Sequence, residues 1–235
     1  MNNVNVLPLP FAAGATPLRD LHRASLGGDG QTMEPAMKLA LDANFGGFEH
    51  WREAYTACAT APGAGARWAL LVFLPREGRL ANQIMVDDTA SLGDGVPLLA
   101  LDLQWPADAF VASIDWAGVY ARYQTAVHAA SEAFGCAHAD VSGALVLDVR
   151  RAGVFAQATQ MVAGARWHDP AAVGQWAADL PRDRAVVVYC VYGHEVGRAT
   201  ALRLRAAGVD ARYLRGGLDG WQAAGQALMA KGDAP

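Results

Sequence analysis

The sequence contains few cysteines, a modest share of charged residues and no long apolar run. Its cysteines are Cys58, Cys136 and Cys190, an odd and widely spaced set that argues against a disulfide framework and against a zinc site. No apolar run approaches the ~18 residues of a membrane-spanning helix. The N-terminus lacks the basic start and continuous apolar core of a signal peptide. We therefore expect a cytoplasmic protein with reduced thiols and no membrane partner.

The charge balance excludes a second class of partner. The formal net charge is −4 and only 18% of the residues are charged, so the sequence gives no basic surface for nucleic acid. Its apolar fraction of 53% over 235 residues is enough for one large domain or two ordinary ones.

In the first part of the chain the spacing of hydrophobic residues changes from helical to strand-like and back to helical. Residues 1–31 are rich in Pro and Gly and predict an extended arm with one short helix around Pro17–Ser25. Helical patterns, strand-like runs and a final helix then follow in the order 33–46, 48–61, 67–75, 79–86, 96–104 and 116–134. For residues 32–135 this order predicts an α+β domain with a three-stranded antiparallel sheet.

The pattern changes again after residues 136–143, which are interpreted as a linker. From residue 144 onward strand-like and helical segments alternate, at 144–149, 169–180, 185–190, 196–208, 209–214 and 218–229. Such alternation is typical of a parallel sheet covered by helices on both faces. Residues 144–235 are therefore predicted to form a second domain, of α/β class.

Cys190 is the residue of chemical interest in that domain. It ends a buried strand directly before a helix, at the edge where parallel α/β sheets bind ligands. Free N–H groups at the helix start are expected to lower the pKa of the thiol, and Gly193 lets the loop curl so that its amides point inward. The competing interpretation is an inert cysteine in the core.

The second domain resembles rhodanese-type sulfurtransferases over residues 143–228. The resemblance rests on the cysteine loop, on Gly216-Gly217 followed by Trp221, and on Asp148-Val149-Arg150. It implies that Cys190 accepts sulfur as a persulfide from a donor and passes it to a thiol acceptor, either a small molecule or a protein. The loop residues that would stabilise the persulfide are Val191, Tyr192, Gly193, His194, Glu195 and Val196. The supporting residues would be Asp148, Arg150 and Arg198.

The loop departs from the family pattern in its charge. Val191 stands where many members carry an arginine, and Glu195 stands where a second basic residue is common. A carboxylate in the anion-binding loop would oppose a dianion, so efficient use of thiosulfate is not expected. His194 either offsets Glu195 as a cation, pairs with it as a proton relay, or is simply solvated.

A cysteine phosphatase or an arsenate reductase is a related alternative. Their loops place an arginine six residues after the cysteine. Position 196 is a valine, and Arg198 comes two residues late, inside the predicted helix. This alternative therefore ranks well below sulfur transfer.

The segments GAGARWALL (63–71) and PLLALDLQWPADAF (97–110) lie in the first domain. With them, residues 33–128 resemble the C-terminal domain of iron/manganese superoxide dismutases. Asp102 lies at the position of the family's aspartate ligand, but Pro106 replaces a histidine ligand, and most of the domain that supplies the other histidines has no counterpart. Asp102 is at most a remnant ligand, and His22 is expected to be an exposed histidine rather than a remnant ligand. We expect no cofactor. As a scaffold this domain could form a homodimer, cover the Cys190 loop or bind a partner.

Two other functional classes stay open. In one, the chain is a sensing or interaction module in which Cys190 is modified slowly, without turnover. In the other, it is a residual metal enzyme, which one or two ligands support poorly.

Overall fold

The computed structural model describes residues 17–60, 65–87 and 92–233. The short helix predicted in the N-terminal arm is confirmed as α1 (Leu18–Ala24); the rest of that arm, residues 1–16, lies outside the described residues. Two further predicted helices are confirmed as α2 (Pro35–Phe45) and α3 (Phe48–Thr60). Gly46 separates them because its φ of 80° lies in the left-handed region that favours glycine.

The predicted antiparallel sheet of the first domain is also confirmed. Its strands are β1 (Trp68–Leu74), β2 (Arg79–Met85) and β3 (Val96–Asp102). They lie in the order β2-β1-β3, with β1 antiparallel to both neighbours. Two helices complete the domain, the unpredicted α4 (Ala107–Val111) and the long α5 (Trp116–Ser131). Asp115 caps α5 as expected, because its side chain accepts a hydrogen bond from the Ala117 N–H.

Helices α3 and α5 pack on the sheet through large aromatic side chains. Trp51, Tyr55 and Trp116 are almost completely buried, and burial of each stabilises the fold by about 2 kcal/mol or more. Their polar atoms are satisfied, since the Tyr55 hydroxyl donates to Ala69 O at 2.8 Å and the Trp116 indole donates to Gly30 O at 3.0 Å. Among the described residues, no helix is both long and apolar enough to cross a membrane.

The second domain has the predicted α/β architecture. Its elements in chain order are β4 (Gly135–Cys136), β5 (Leu145–Asp148), α6 (Ala152–Gln157), β6 (Gln160–Val162), β7 (Arg166–Trp167), α7 (Val173–Trp176), β8 (Val186–Tyr189), α8 (Glu195–Ala206), β9 (Ala211–Leu214), α9 (Gly217–Ala223) and β10 (Leu228–Ala230). The main sheet is parallel, in the order β4-β9-β8-β5-β7. The buried strand β8 lies at its centre, so its carboxyl end opens between two neighbouring strands.

Three details differ from the sequence-based expectations. The second sheet begins inside the predicted linker, since Cys136 in β4 pairs with Leu214 in β9. The helix predicted at 169–180 consists of the short α7 with a 3-10 turn on either side. The helix predicted at 218–229 ends at Ala223, because Gly225 adopts a φ of 66°, and β10 then pairs with β6.

The two domains share one core along α8. Leu202 of α8 is 4% exposed and belongs to the hydrophobic cluster of the first domain. The next residue, Arg203, donates to Ala43 O at the end of α2 at 3.2 Å. On the other side, the β1–β2 turn approaches α8 so closely that a Cβ on Gly78 would lie 2.6 Å from the Leu202 Cβ. The helix that follows Cys190 is therefore held by both domains.

This close approach makes Gly78 a test of the interface. We expect Gly78→Ala to lower the free energy of unfolding by about 1–3 kcal/mol more than Gly143→Ala, because of overpacking. Both glycines have positive φ (62° and 78°), but a Cβ at Gly143 would meet nothing within 4 Å. Denaturant unfolding of both variants measures the difference. Equal losses would show that the turn does not press on α8.

Candidate active site

Cys190 lies at the carboxyl end of β8, at the base of the loop that leads into α8. The residue is 5% exposed. The backbone N–H groups of Tyr192, Gly193, His194 and Gly197 lie near its sulfur and act to lower the pKa of the thiol. This set, called the amide cradle below, overlaps the predicted loop 191–196 and extends one residue beyond it, to Gly197. A Cβ at Gly197 would lie 3.4 Å from the Cys190 Sγ, so the sulfur rests directly on the first turn of α8.

Two glycines give the loop its curl. Gly193 has a φ of 71°, and a Cβ there would lie 2.7 Å from Leu214 O. Gly217 has a φ of 57°, and its Cβ would lie 2.6 Å from Cys190 O. Only glycine fits at either position without displacing backbone.

The start of α9 fixes the outer side of the loop. The N–H of Leu218 donates to Cys190 O, and the N–H of Asp219 donates to Val191 O, both at 2.9 Å. These bonds hold the two carbonyl groups on the α9 side, while the amide cradle faces the sulfur. The Gly216-Gly217 turn, which the sequence showed only as part of a resemblance, therefore shapes the loop.

The expected lowering of the Cys190 pKa is wrong for this structure. Burial raises the pKa of the Cys190 thiol, and the cradle amides oppose that rise without cancelling it. Burial also raises the pKa of Cys58 and of Cys136. Cys190 therefore differs from the other thiols in the amides that surround its sulfur, and not in the direction of its pKa.

Aromatic side chains form the outer rim of the loop. The Tyr192 side chain is 58% exposed, unusually high for a large ring. Its ring centroid lies 5.7 Å from that of His194, which in turn lies 6.0 Å from that of His128 in α5. The approach to Cys190 is thus bordered by side chains from both domains.

Glu195 does not point into the loop, contrary to expectation. Its residue is 3% exposed, and its carboxylate is bound by three side chains of α5. The Tyr120 hydroxyl donates to Oε2 at 2.9 Å, the Gln124 amide donates to Oε1 at 2.7 Å, and the His128 Nε2 lies 2.8 Å from Oε1. Tyr120, Gln124 and His128 are called the carboxylate receptor below. Of the three interpretations of His194, the proton-relay pair with Glu195 is not formed, because His128 lies at that carboxylate instead.

The receptor controls the ionisation of the site. Burial alone would raise the pKa of Glu195, but hydrogen bonds from Gln124, its own backbone N–H and Tyr120, together with His128, hold it below its ordinary value. Burial and the nearby Arg198 lower the pKa of His128. Near neutral pH the receptor therefore holds a carboxylate with largely uncharged donors.

Sequence reasoning missed the receptor, although its spacing was visible. Tyr120, Gln124 and His128 are four residues apart and therefore lie on one face of α5. Only the packing of α5 on α8 shows that this face meets Glu195.

Arg198 is also directed at the first domain. Its Nε donates to Gly193 O at 3.0 Å, and its Nη1 donates to Ser131 Oγ and to Glu132 at 3.1 Å. Its guanidinium lies 4.2 Å from the centre of the Tyr213 ring. The Arg198 guanidinium thus joins the loop to the end of α5. It is not placed to bind a phosphate in the loop, as a cysteine phosphatase would require.

Asp148 and Arg150 form a buried brace beside the loop. The Arg150 Nε lies 2.9 Å from Asp148 Oδ2, and neither residue is more than 4% exposed. The Tyr189 hydroxyl donates to the same carboxylate at 2.8 Å. Because Tyr189 precedes Cys190, this network fixes the end of β8 rather than contacting a substrate.

The remnant metal site of the first domain does not fit a redox metal. The Asp102 carboxylate accepts the Gln104 N–H at 3.1 Å and lies 3.6 Å from Arg67 Nη2. The expectation that His22 is exposed is wrong, because the residue is buried, with Nδ1 3.1 Å from Ala100 O. Within the described ranges no group of three or more His, Cys, Asp or Glu side chains is placed to hold a metal ion.

Comparison with known proteins agrees with this two-part architecture. The family model described as the rhodanese-like domain matches residues 133–224. The N-terminal region is similar to superoxide dismutases. The iron enzyme of Cupriavidus metallidurans is 35% identical over 130 residues, which are 50% of this chain and 66% of the relative. A manganese enzyme of Halobacterium salinarum is 36% identical over 112 residues, 40% of this chain and 54% of the relative.

Two solved structures are similar to part of this chain. A full-length protein from Lactobacillus plantarum is 24% identical, covers 42% of this chain and 89% of its own, and has a TM-score of 0.40. A rhodanese-related protein from Thermoplasma volcanium is 21% identical, covers 40% and 96%, and has a TM-score of 0.36. The chain spans roughly half to two thirds of the superoxide dismutases it matches. It therefore joins a superoxide-dismutase-like N-terminal region to a rhodanese-like domain at residues 133–224.

Proposed function

We propose that the protein is a sulfurtransferase that carries sulfane sulfur as a persulfide on Cys190. The observation that carries this proposal is the amide cradle around Sγ, at the carboxyl end of the central strand of the rhodanese-like domain. Inward-facing amides stabilise negative charge on a thiolate or on the outer sulfur of a persulfide, as an oxyanion hole stabilises developing charge.

The proposed reaction has two displacement steps. After the Cys190 thiol loses its proton to solvent, the thiolate attacks the outer sulfur of the donor. The Sγ–S bond forms, the bond from that sulfur to the rest of the donor breaks, and the donor remnant leaves with the electron pair. An acceptor thiolate then attacks the outer sulfur of the persulfide, which breaks the Sγ–S bond and returns Cys190 as a thiolate.

The donor proposal changes with the position of Glu195. The sequence argued against thiosulfate because a carboxylate was expected in the loop and because position 191 holds valine. Since Glu195 is bound to α5, only the missing arginine at position 191 still argues against a dianionic donor.

One observation favours a second candidate, a sensing module in which Cys190 is modified without turnover. Burial leaves the thiol 5% exposed and raises its pKa, which slows reaction at neutral pH. Repeated turnover with a donor and an acceptor supports the enzyme, whereas modification that stops at one sulfur per chain supports the sensor.

The first prediction concerns the sulfur-carrying residue. Reduced protein treated with a sulfane-sulfur donor is expected to gain about 32 Da, the mass of one sulfur atom, at Cys190. Cys190→Ser should abolish this gain, while Cys58→Ser and Cys136→Ser should retain it because those sulfurs lack the cradle. Peptide mass spectrometry measures the site. Absence of added sulfur at Cys190 in the unaltered protein would contradict the proposal.

The second prediction concerns the curl of the loop. Gly193→Ala is expected to lower the rate of sulfur loading by about 10²-fold, since a side chain at φ 71° displaces the cradle amides. Gly225→Ala is the matched control, with a φ of 66° and open space around the added Cβ. Single-turnover loading kinetics compare the two. A loss of equal size in the control would show that the loop geometry is not the cause.

The third prediction concerns pH. Because burial raises the pKa of Cys190, the thiol form dominates near neutrality, and the thiolate fraction should grow about tenfold per pH unit below the pKa. We expect the rate of Cys190 alkylation by iodoacetamide to keep rising between about pH 7 and pH 9. Quantitative peptide mass spectrometry follows the rate. A plateau below about pH 8 would mean that the cradle outweighs burial.

A further inference from the structure

We propose that the carboxylate receptor of the first domain holds Glu195 out of the amide cradle and thereby makes the Cys190 loop suitable for an anionic sulfur donor. Tyr120, Gln124 and His128 are then positioning residues for the site in the other domain. The functional part of this inference rests on the proposed sulfur transfer, but the electrostatic part can be tested without it.

Both oxygens of the Glu195 carboxylate have hydrogen-bond partners in the receptor. Oε2 is bound by Tyr120, and Oε1 by both Gln124 and His128. All of these donors lie on α5. A buried carboxylate requires such partners, because desolvation otherwise disfavours its charge. The first domain therefore decides where this negative charge is located.

The amide cradle is the competing place for the same charge. Glu195 begins α8, next to His194 and two residues before Gly197, whose N–H groups belong to the cradle. The Glu195 backbone N–H already interacts with its own carboxylate. Amides at a helix start attract a carboxylate as they attract a thiolate. A released Glu195 side chain would therefore compete with Cys190 and with an incoming anion.

A second contact fixes the position of the loop relative to α5. Arg198 donates both to Gly193 O in the loop and to Ser131 Oγ at the end of α5. The loop cannot shift relative to the receptor without breaking this link. The separation between Glu195 and the cradle is thus maintained by contacts at two points of one helix.

The experiment compares a charged and a neutral reagent at Cys190. Iodoacetate is an anion and iodoacetamide is its neutral analogue, so the ratio of their rates reports the charge around the sulfur. In the triple variant Tyr120→Phe/Gln124→Leu/His128→Leu we expect this ratio to fall about three- to tenfold, the effect of one negative charge moved into the loop. Rates are measured at about pH 8, where His128, whose pKa is lowered, carries no charge to be lost.

Two controls separate this effect from misfolding. Adding Glu195→Gln to the triple variant should restore the ratio, because the neutral amide cannot repel iodoacetate. Thr125→Leu changes an exposed residue of the same helix and should leave the ratio unchanged. A ratio unaltered in the triple variant, or a fall that persists with Glu195→Gln, overturns the inference. The single variant Gln124→Leu provides the same readout, with a smaller fall, if the triple variant does not fold.

The sulfur-transfer assay adds the functional readout. With a dianionic donor such as thiosulfate, the triple variant should load sulfur more slowly than the unaltered protein by about ten- to a hundredfold, because the repulsion energy doubles with the donor's charge. Glu195→Gln should restore the rate. If the unaltered protein loads no sulfur but the alkylation ratio shifts as expected, the proposed function fails while the positioning role stands. If sulfur loads and the ratio does not move, the positioning role fails alone.

Discussion

The packing of α8 between the two domains is the constraint on which the site depends. The first turn of this helix supplies an amide, from Gly197, to the Cys190 sulfur, and its middle buries Leu202 in the core of the first domain. An α-helix is stiff over this length, so a shift at the interface is carried to the loop. The domains are therefore packed on each other through α8, and not merely joined by the chain.

The site around Cys190 is built from backbone dipoles rather than from cationic side chains. Arg150 is neutralised by Asp148, and Arg198 is engaged by Gly193 O and Glu132. Oriented amides retain their direction without an entropy cost during reaction, but here they only partly offset the burial of the sulfur. At rest the net effect of burial and amides therefore keeps Cys190 in the thiol form near neutral pH.

The first domain is similar to superoxide dismutases in sequence and contacts the rhodanese-like domain through α5. The donors around Asp102 and His22 do not make a metal site among the described residues, while the polar face of α5 binds Glu195. A buried ion pair between α5 and α8 would also hold the two helices together, but two charges would then have to be desolvated. Neutral donors that surround one carboxylate provide specificity of docking with less of that cost.

The period of the hydrophobic residues and the turn residues were enough to predict the fold class of both domains. They predicted the antiparallel sheet, the parallel sheet, the cap at Asp115 and the position of Cys190 at a strand end, because these features depend on residues close in sequence. They missed β4, β6, β7 and β10, which are only two or three residues long and depend on pairing with neighbouring strands.

The direction of Glu195 and the pKa of Cys190 could not be read from the sequence. The direction of Glu195 depends on partners 67 to 75 positions away in the sequence. The pKa of Cys190 depends on how deeply the folded chain buries its sulfur. Sequence placed a carboxylate in the loop, and tertiary packing turned it toward α5, because a buried charge lies where its hydrogen bonds are complete. The sequence thus determined which groups are available near the sulfur, and only the docking of the domains decided which of them face it.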